Sequence, residues 1–124
     1  MTLASPPEPV SPVHLVVTRE IFVDSDIAAT LAEVCPGAEI LRASSVAEAF
    51  TLIDGTPTIS LAFLESVGDP VTLSHLSKAI EQRGGRIVLI GHWSSVESSL
   101  RPLATLPVPL GYDDLASFLR QTPI

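Results

Sequence analysis

The stretch Val13-His14-Leu15-Val16-Val17-Thr18-Arg19-Glu20 opens the repeating pattern of this chain and decides its fold. Its first five residues are apolar except for His14 and show no polar alternation, which marks a strand buried on both faces. Downstream, Ile27, Leu31 and Val34 share one helical stripe that Asp24 or Asp26 opens and Pro36-Gly37 stops. The two aspartates suit the positive end of a helix dipole. A doubly buried strand followed by an amphipathic helix is one βα unit, and the chain repeats it.

The second run, Ala38-Glu39-Ile40-Leu41-Arg42, is shorter and more polar, as a strand near a sheet edge is. Ser45-Val46-Ala47-Glu48 has capping-box spacing, so Ser45 and Glu48 begin a helix with the stripe Val46, Ala49, Phe50 and Ile53. Asp54-Gly55 and Pro57 stop it. Thr58 to Leu64 is a third strand ending at Glu65, and the helix Val71 to Arg83 buries Leu73, Leu76 and Ile80 before Gly84-Gly85. Arg86 to Gly91 is a fourth, unalternating strand. Ser94-Ser95-Val96-Glu97 repeats the capping-box spacing and opens a short helix that Pro102 ends. A brief fifth strand lies around Ala104 to Val108, held to an edge by Pro107 and Pro109. The last helix, Tyr112 to Gln121, turns Leu115, Phe118 and Leu119 inward and carries Asp113-Asp114 in its first turn.

Five such units within 124 residues predict an α/β protein with a three-layer (βα)5 flavodoxin-like fold, because a closed eight-unit barrel needs about twice the chain. The order 2-1-3-4-5 places the three most apolar strands centrally. The expected organisation is a flexible leader over residues 1–12, with four prolines, and one domain over 13–124. With 46% hydrophobic and 17% charged residues the chain is too apolar to be disordered, so its net charge of −7 decorates a folded body. Seven scattered basic residues against 14 acidic ones argue against nucleic acid. No apolar run approaches the roughly 20 residues that span a bilayer, so a soluble, cytoplasmic protein is expected. Cys35, the only cysteine, excludes an internal disulfide and reads as a small core residue.

In open sheets of this type, chemistry lies beyond the carboxyl ends of the strands. The turn after the first strand, Thr18-Arg19-Glu20-Ile21-Phe22-Val23, holds no glycine, which excludes dinucleotide and phosphate-loop motifs. Neither a nucleophile elbow nor a His-x-x-x-His or Cys-x-x-Cys pair occurs. His14 in a strand and His75 on a helix read as satisfied structural residues. His92-Trp93, at a strand's carboxyl end, is the better functional candidate.

Over Val13 to Gln121 these segments resemble the receiver domains of bacterial two-component response regulators. His14 to Glu20 resembles the family's first strand with its acidic pair. Ile59-Ser60-Leu61-Ala62-Phe63-Leu64-Glu65 resembles the third strand with its phosphoacceptor aspartate. Arg86 to His92 resembles the fourth, where a Thr or Ser precedes the glycine, and Leu106-Pro107-Val108-Pro109 resembles the Lys-Pro turn. Against that pattern, Thr18 and Arg19 replace the metal-binding carboxylates, Glu65 the aspartate, Ile90 the hydroxyl and Val108 the lysine. An arginine where an acid belongs opposes a hard cation, and without the cation phosphoryl transfer loses its main electrostatic support. The resemblance therefore implies a degenerate receiver with no metal, no cofactor and no enzymatic activity, in which neither Glu65 nor the weaker candidate Asp69 is phosphorylated. Arg19 is placed to pair with Glu65 in the cation's stead. Alternatively Arg19 faces solvent and Glu65 caps the next loop, or a one-residue slip sets Glu20 beside Glu65.

Only Thr122-Pro123-Ile124 follow the last helix, so a stand-alone protein with output by contact is expected. The family's surfaces are the tip near its first helix, used by histidine kinases, and the face of its fourth helix, fifth strand and fifth helix, which here would carry Trp93, Val96, Leu100, Leu103, Leu110 and Tyr112 as a homodimer or partner interface; the partners expected are a histidine kinase, a phosphotransfer protein or another regulator. The alternative is a small-ligand module or enzyme subunit using His92, Trp93 and Glu65.

Overall fold

A computed structural model of the chain describes residues 12–65, 70–91, 102–106 and 112–121. Among these, β1 (Val13–Val17), β2 (Glu39–Ala43), β3 (Leu61–Glu65), β4 (Arg86–Ile90) and β5 (Ala104–Leu106) form one parallel sheet of order β2-β1-β3-β4-β5. The helices are α1 (Ile21–Val34), α2 (Val46–Asp54), α3 (Pro70–Glu81) and α4 (Tyr112–Gln121). The polar second run and the proline-flanked fifth are the edges, as their composition requires.

Strand alternation divides the core in two. Leu15, Val17, Ala62, Leu64, Ile87 and Leu89 meet α2 and α3 on one face. Val16, Leu61, Phe63, Val88 and Ile90 meet Ile27 and Leu31 of α1 and Leu115 and Leu119 of α4 on the other. Cys35 is half-buried against this second layer.

Boundaries differ from the sequence reading where polar signals and geometry part. Helix α1 begins at Ile21, not at the aspartates, with Glu20 as an N-cap that makes no side-chain cap bond. Asp24 lies in the first turn, where its charge meets the helix dipole. Ser45 does cap α2, accepting from the Glu48 N–H at 3.1 Å. The return half of the capping box is replaced by Ser44, whose hydroxyl donates to Glu48 at 3.1 Å. Strand β3 starts at Leu61 because the Ile59 N–H is drawn instead to the Arg83 carbonyl. The Arg83 guanidinium in turn donates to the carbonyls of Ile53, Thr56 and Ala79 at 2.8–3.1 Å, tying the end of α2 and the turn after it to the end of α3. Gly85 follows because a Cβ there would sit 2.5 Å from Ile80 Cγ2.

Two readings of histidine change. His75 is exposed on α3. His14 is fully buried, but neither ring nitrogen has a hydrogen-bond partner, so it is structural without being satisfied. Its neighbours across the sheet, Ile40 and Leu61, are aliphatic and offer none.

Candidate functional site

At the carboxyl end of the central strands, the register pairs Val17 with Leu64 and so brings Thr18 beside Glu65. The alternation that sends Val16 and Phe63 toward α1 and α4 carries on to these two residues. Thr18 is 4% exposed and its hydroxyl donates to Glu65 Oε1 at 2.7 Å. The same hydroxyl oxygen accepts the Glu20 N–H at 3.0 Å, while the Thr18 N–H donates to the Ala43 carbonyl. The hydroxyl thus both donates and accepts, and the turn into α1 is tied to the end of β3.

These bonds bear on the arrangements open to Arg19, Glu20 and Glu65, while the loop that Glu65 could cap, 66–69, lies outside the described residues. Arg19 is exposed and makes no ion pair with Glu65; the partner of Glu65 is Thr18. No slip brings Glu20 to Glu65, since Glu20 is held to Thr18 through its backbone. Ile90 pairs in register with Glu65 and is buried in the α1/α4 layer. Val108 and Pro109 lie outside the described residues, as do Asp69, His92, Trp93, Val96, Leu100 and Leu110. Of the expected contact face, Leu103 is 42% exposed and Tyr112 is the first residue of α4.

Beside this centre a cleft of about 200 Å³ runs between the β1–α1 and β2–α2 connections, lined by Thr18, Arg19, Ile21, Asp24, Arg42 and Ser44 among others. Asp24 of α1 and Arg42 of β2 close its outer side: Nε donates to both carboxylate oxygens at 3.0 and 2.8 Å, and Nη2 to Oδ2. The bonded carboxylate holds the Arg42 guanidinium above its ordinary pKa. Among the described residues no three His, Cys, Asp or Glu side chains converge as metal ligands do.

The feature that sequence reasoning missed is apolar. Ile21 and Phe22, on the first turn of α1, are 76% and 83% exposed, and Val71 on the first turn of α3 is 65% exposed. A helix beginning at Ile21 would have revealed the first two, because the stripe ending in Ile27 and Leu31 runs back through Val23 and leaves them off it.

No family model and no curated protein matches the chain. Solved structures do. The chain is similar to a response regulator from Thermotoga maritima, with a TM-score of 0.73 and 13% identity over 90% of this chain and 97% of that one. It is similar to the chemotaxis protein CheY4 of Vibrio cholerae, with a TM-score of 0.74 and 13% identity over 92% and 100%. A CheY-like receiver domain protein of Methanospirillum hungatei gives a TM-score of 0.70 and 18% identity over 90% and 92%. At these identities the likeness is one of fold: the sheet order, the helix layers and the place of the strand ends are those of receiver domains.

Proposed function

We propose that residues 13–124 form a degenerate receiver that acts by protein–protein contact in two-component or phosphorelay signalling, without accepting a phosphoryl group and without Mg²⁺. The observation that carries this reading is the 2.7 Å hydrogen bond from Thr18 to Glu65. It gives the one carboxylate at the end of β3 a neutral partner where a receiver needs further carboxylates to hold a cation. Arg19, next along the chain, brings a positive charge to the same rim and opposes Mg²⁺ there. Without a divalent ion to neutralise the phosphoryl oxygens, transfer to Glu65 has no electrostatic support.

Ile21 and Phe22 support the contact half of the reading. Two large apolar side chains exposed side by side beside this centre form a surface that a solvated helix end has no use for. The partners proposed are a histidine kinase, a phosphotransfer protein or another regulator.

Two measurements test the proposal. Incubation with radiolabelled acetyl phosphate and Mg²⁺ is expected to leave wild type and Glu65→Gln equally unlabelled; label that depends on Glu65 overturns the first half. Titration against the dimerisation domains of histidine kinases and against phosphotransfer proteins is expected to find saturable binding that ignores Mg²⁺ and weakens about tenfold in Phe22→Ser, the loss of one buried aromatic contact. Binding that requires Mg²⁺ and acetyl phosphate, or none across both classes, would refute the second half.

A further inference from the structure

Among the described residues one buried strand position is polar, His14. It lies in β1 on the face that Val16 shares with α1 and α4, between Ile40 of β2 and Leu61 of β3, and has no exposed surface. A neutral imidazole carries one N–H donor and one acceptor nitrogen, and here both are buried without a partner. A valine or leucine would fill the position without leaving polar atoms unmet.

Among the described residues, the elements packed around His14 supply no counter-charge. At this end of the sheet α1 offers Glu33, exposed, and the Cys35 thiol, which burial pushes up and so keeps neutral. Helix α4 offers Arg120, β2 offers Glu39 and β4, beyond Leu61, offers Arg86, all exposed, and β3 offers no ionisable group there. Beside the amino end of β1, a cleft of about 330 Å³ opens between the carboxyl ends of α1 and α4, lined by Pro12, Val34, Cys35, Pro36, Leu119 and Arg120.

We propose that His14 is an acid-sensitive latch: uptake of one proton makes both ring nitrogens donors and sets a charge under the helices, and the carboxyl ends of α1 and α4 lift so that water reaches it through this cleft. Burial holds the imidazole below its ordinary value of 6.5. At higher pH the ring is neutral whether the layer is closed or open, and nothing is lost. As pH falls through 6.5 the open form takes up the proton that the closed form resists, so closure weakens, and the loss levels off below the closed form's own pKa. One proton per molecule changes the open-to-closed ratio about tenfold for each pH unit within that window.

Amide hydrogen exchange of the full chain, followed by NMR at about pH 7.5 and about pH 5.5 and corrected for intrinsic exchange rates, tests the latch. Opening at Leu31, Val34 and Leu119 is expected to rise at the lower pH, by at most about tenfold, while Ala49, Leu76 and Ile80 stay as they were. His14→Leu is expected to abolish the rise and His75→Gln to keep it. An equal change in both helix layers, or an unchanged response in His14→Leu, overturns the proposal. Should His14→Leu not fold, the wild-type ring nitrogens decide: a His14 that titrates near 6.5 with α1 and α4 still protected refutes it, and a ring that stays neutral in the closed form while those amides open supports it.

Discussion

The two faces of the sheet are alike in apolar packing and unlike in everything else. Beneath α2 and α3 the buried strand residues are Leu, Val, Ile and Ala, and the helix ends above are fastened by the Arg83 guanidinium and the Ser45 cap. Beneath α1 and α4 lie the partnerless His14 at one end of β1 and the Thr18–Glu65 bond at the other, and α1 begins with exposed Ile21 and Phe22 over an N-cap that makes no side-chain bond. Among the described residues Ser77 of α3 is the buried polar side chain on the α2/α3 side. The α1/α4 side has three buried polar side chains among the described residues, His14, Thr18 and Thr30, and beside them the exposed Ile21 and Phe22. Among the described residues the buried polar groups thus gather mainly in one helix layer.

The largest effects should show that the two cores are nonetheless of equal standing. Phe63, wholly buried under α1 and α4, is expected to cost about 3–5 kcal/mol on truncation to Ala, and Leu76, wholly buried on the other face, about 2–5 kcal/mol. Urea denaturation of both variants with unchanged m-values checks this. A Phe63→Ala cost below about 1 kcal/mol would mean that the α1/α4 layer is loosely packed already, and the contrast would then be one of packing instead of polarity.

A smaller effect is expected at the site. Thr18→Val keeps the volume and removes the hydroxyl, leaving Glu65 without its donor and the Glu20 N–H without its acceptor. Glu65 is only half-buried, so water compensates in part, and a loss of about 1 kcal/mol is expected in thermal unfolding. If the Thr18–Glu65 bond also positions the start of α1, the amides of Val23 and Asp24 should exchange faster in this variant while those of α2 do not.

How much of this is legible in the sequence depends on the range of the interaction. The order of elements can be read because the apolar runs, the 3.6-residue stripes and the Gly and Pro stops are local signals. The start of α1 is misplaced because Asp24 and Asp26 look like caps, while the true first turn carries Ile21 and Phe22 and no capping side chain. That Thr18 and Glu65 belong to one centre follows from both standing at strand ends. Which side chain meets Glu65 does not, since Thr18, Arg19 and Glu20 are consecutive and only the β1–β3 register, set 47 residues away, selects among them. The missing partner of His14 is equally hidden: it depends on Ile40 and Leu61, which the fold alone brings alongside.

The smallest expected effect concerns the ion pair that spans the cleft between α1 and the sheet edge. Arg42 meets Asp24 in a two-pronged contact, a good geometry for a guanidinium and a carboxylate. The side chains are nevertheless 49% and 20% exposed, so water screens the attraction and ordering two long side chains offsets much of what remains. Asp24→Asn is therefore expected to cost only about 0.2–1 kcal/mol, and less at high salt, where screening already weakens the wild-type pair. The informative readout is its location. Because α1 lacks a side-chain cap and is joined to β2 at this point by a surface pair, the first turn of α1 should lose amide protection while the first turn of α2, held by Ser45, keeps its own. A uniform small loss over both helices would show that the two layers are coupled through the sheet, and that the contrast between them ends at their polar groups.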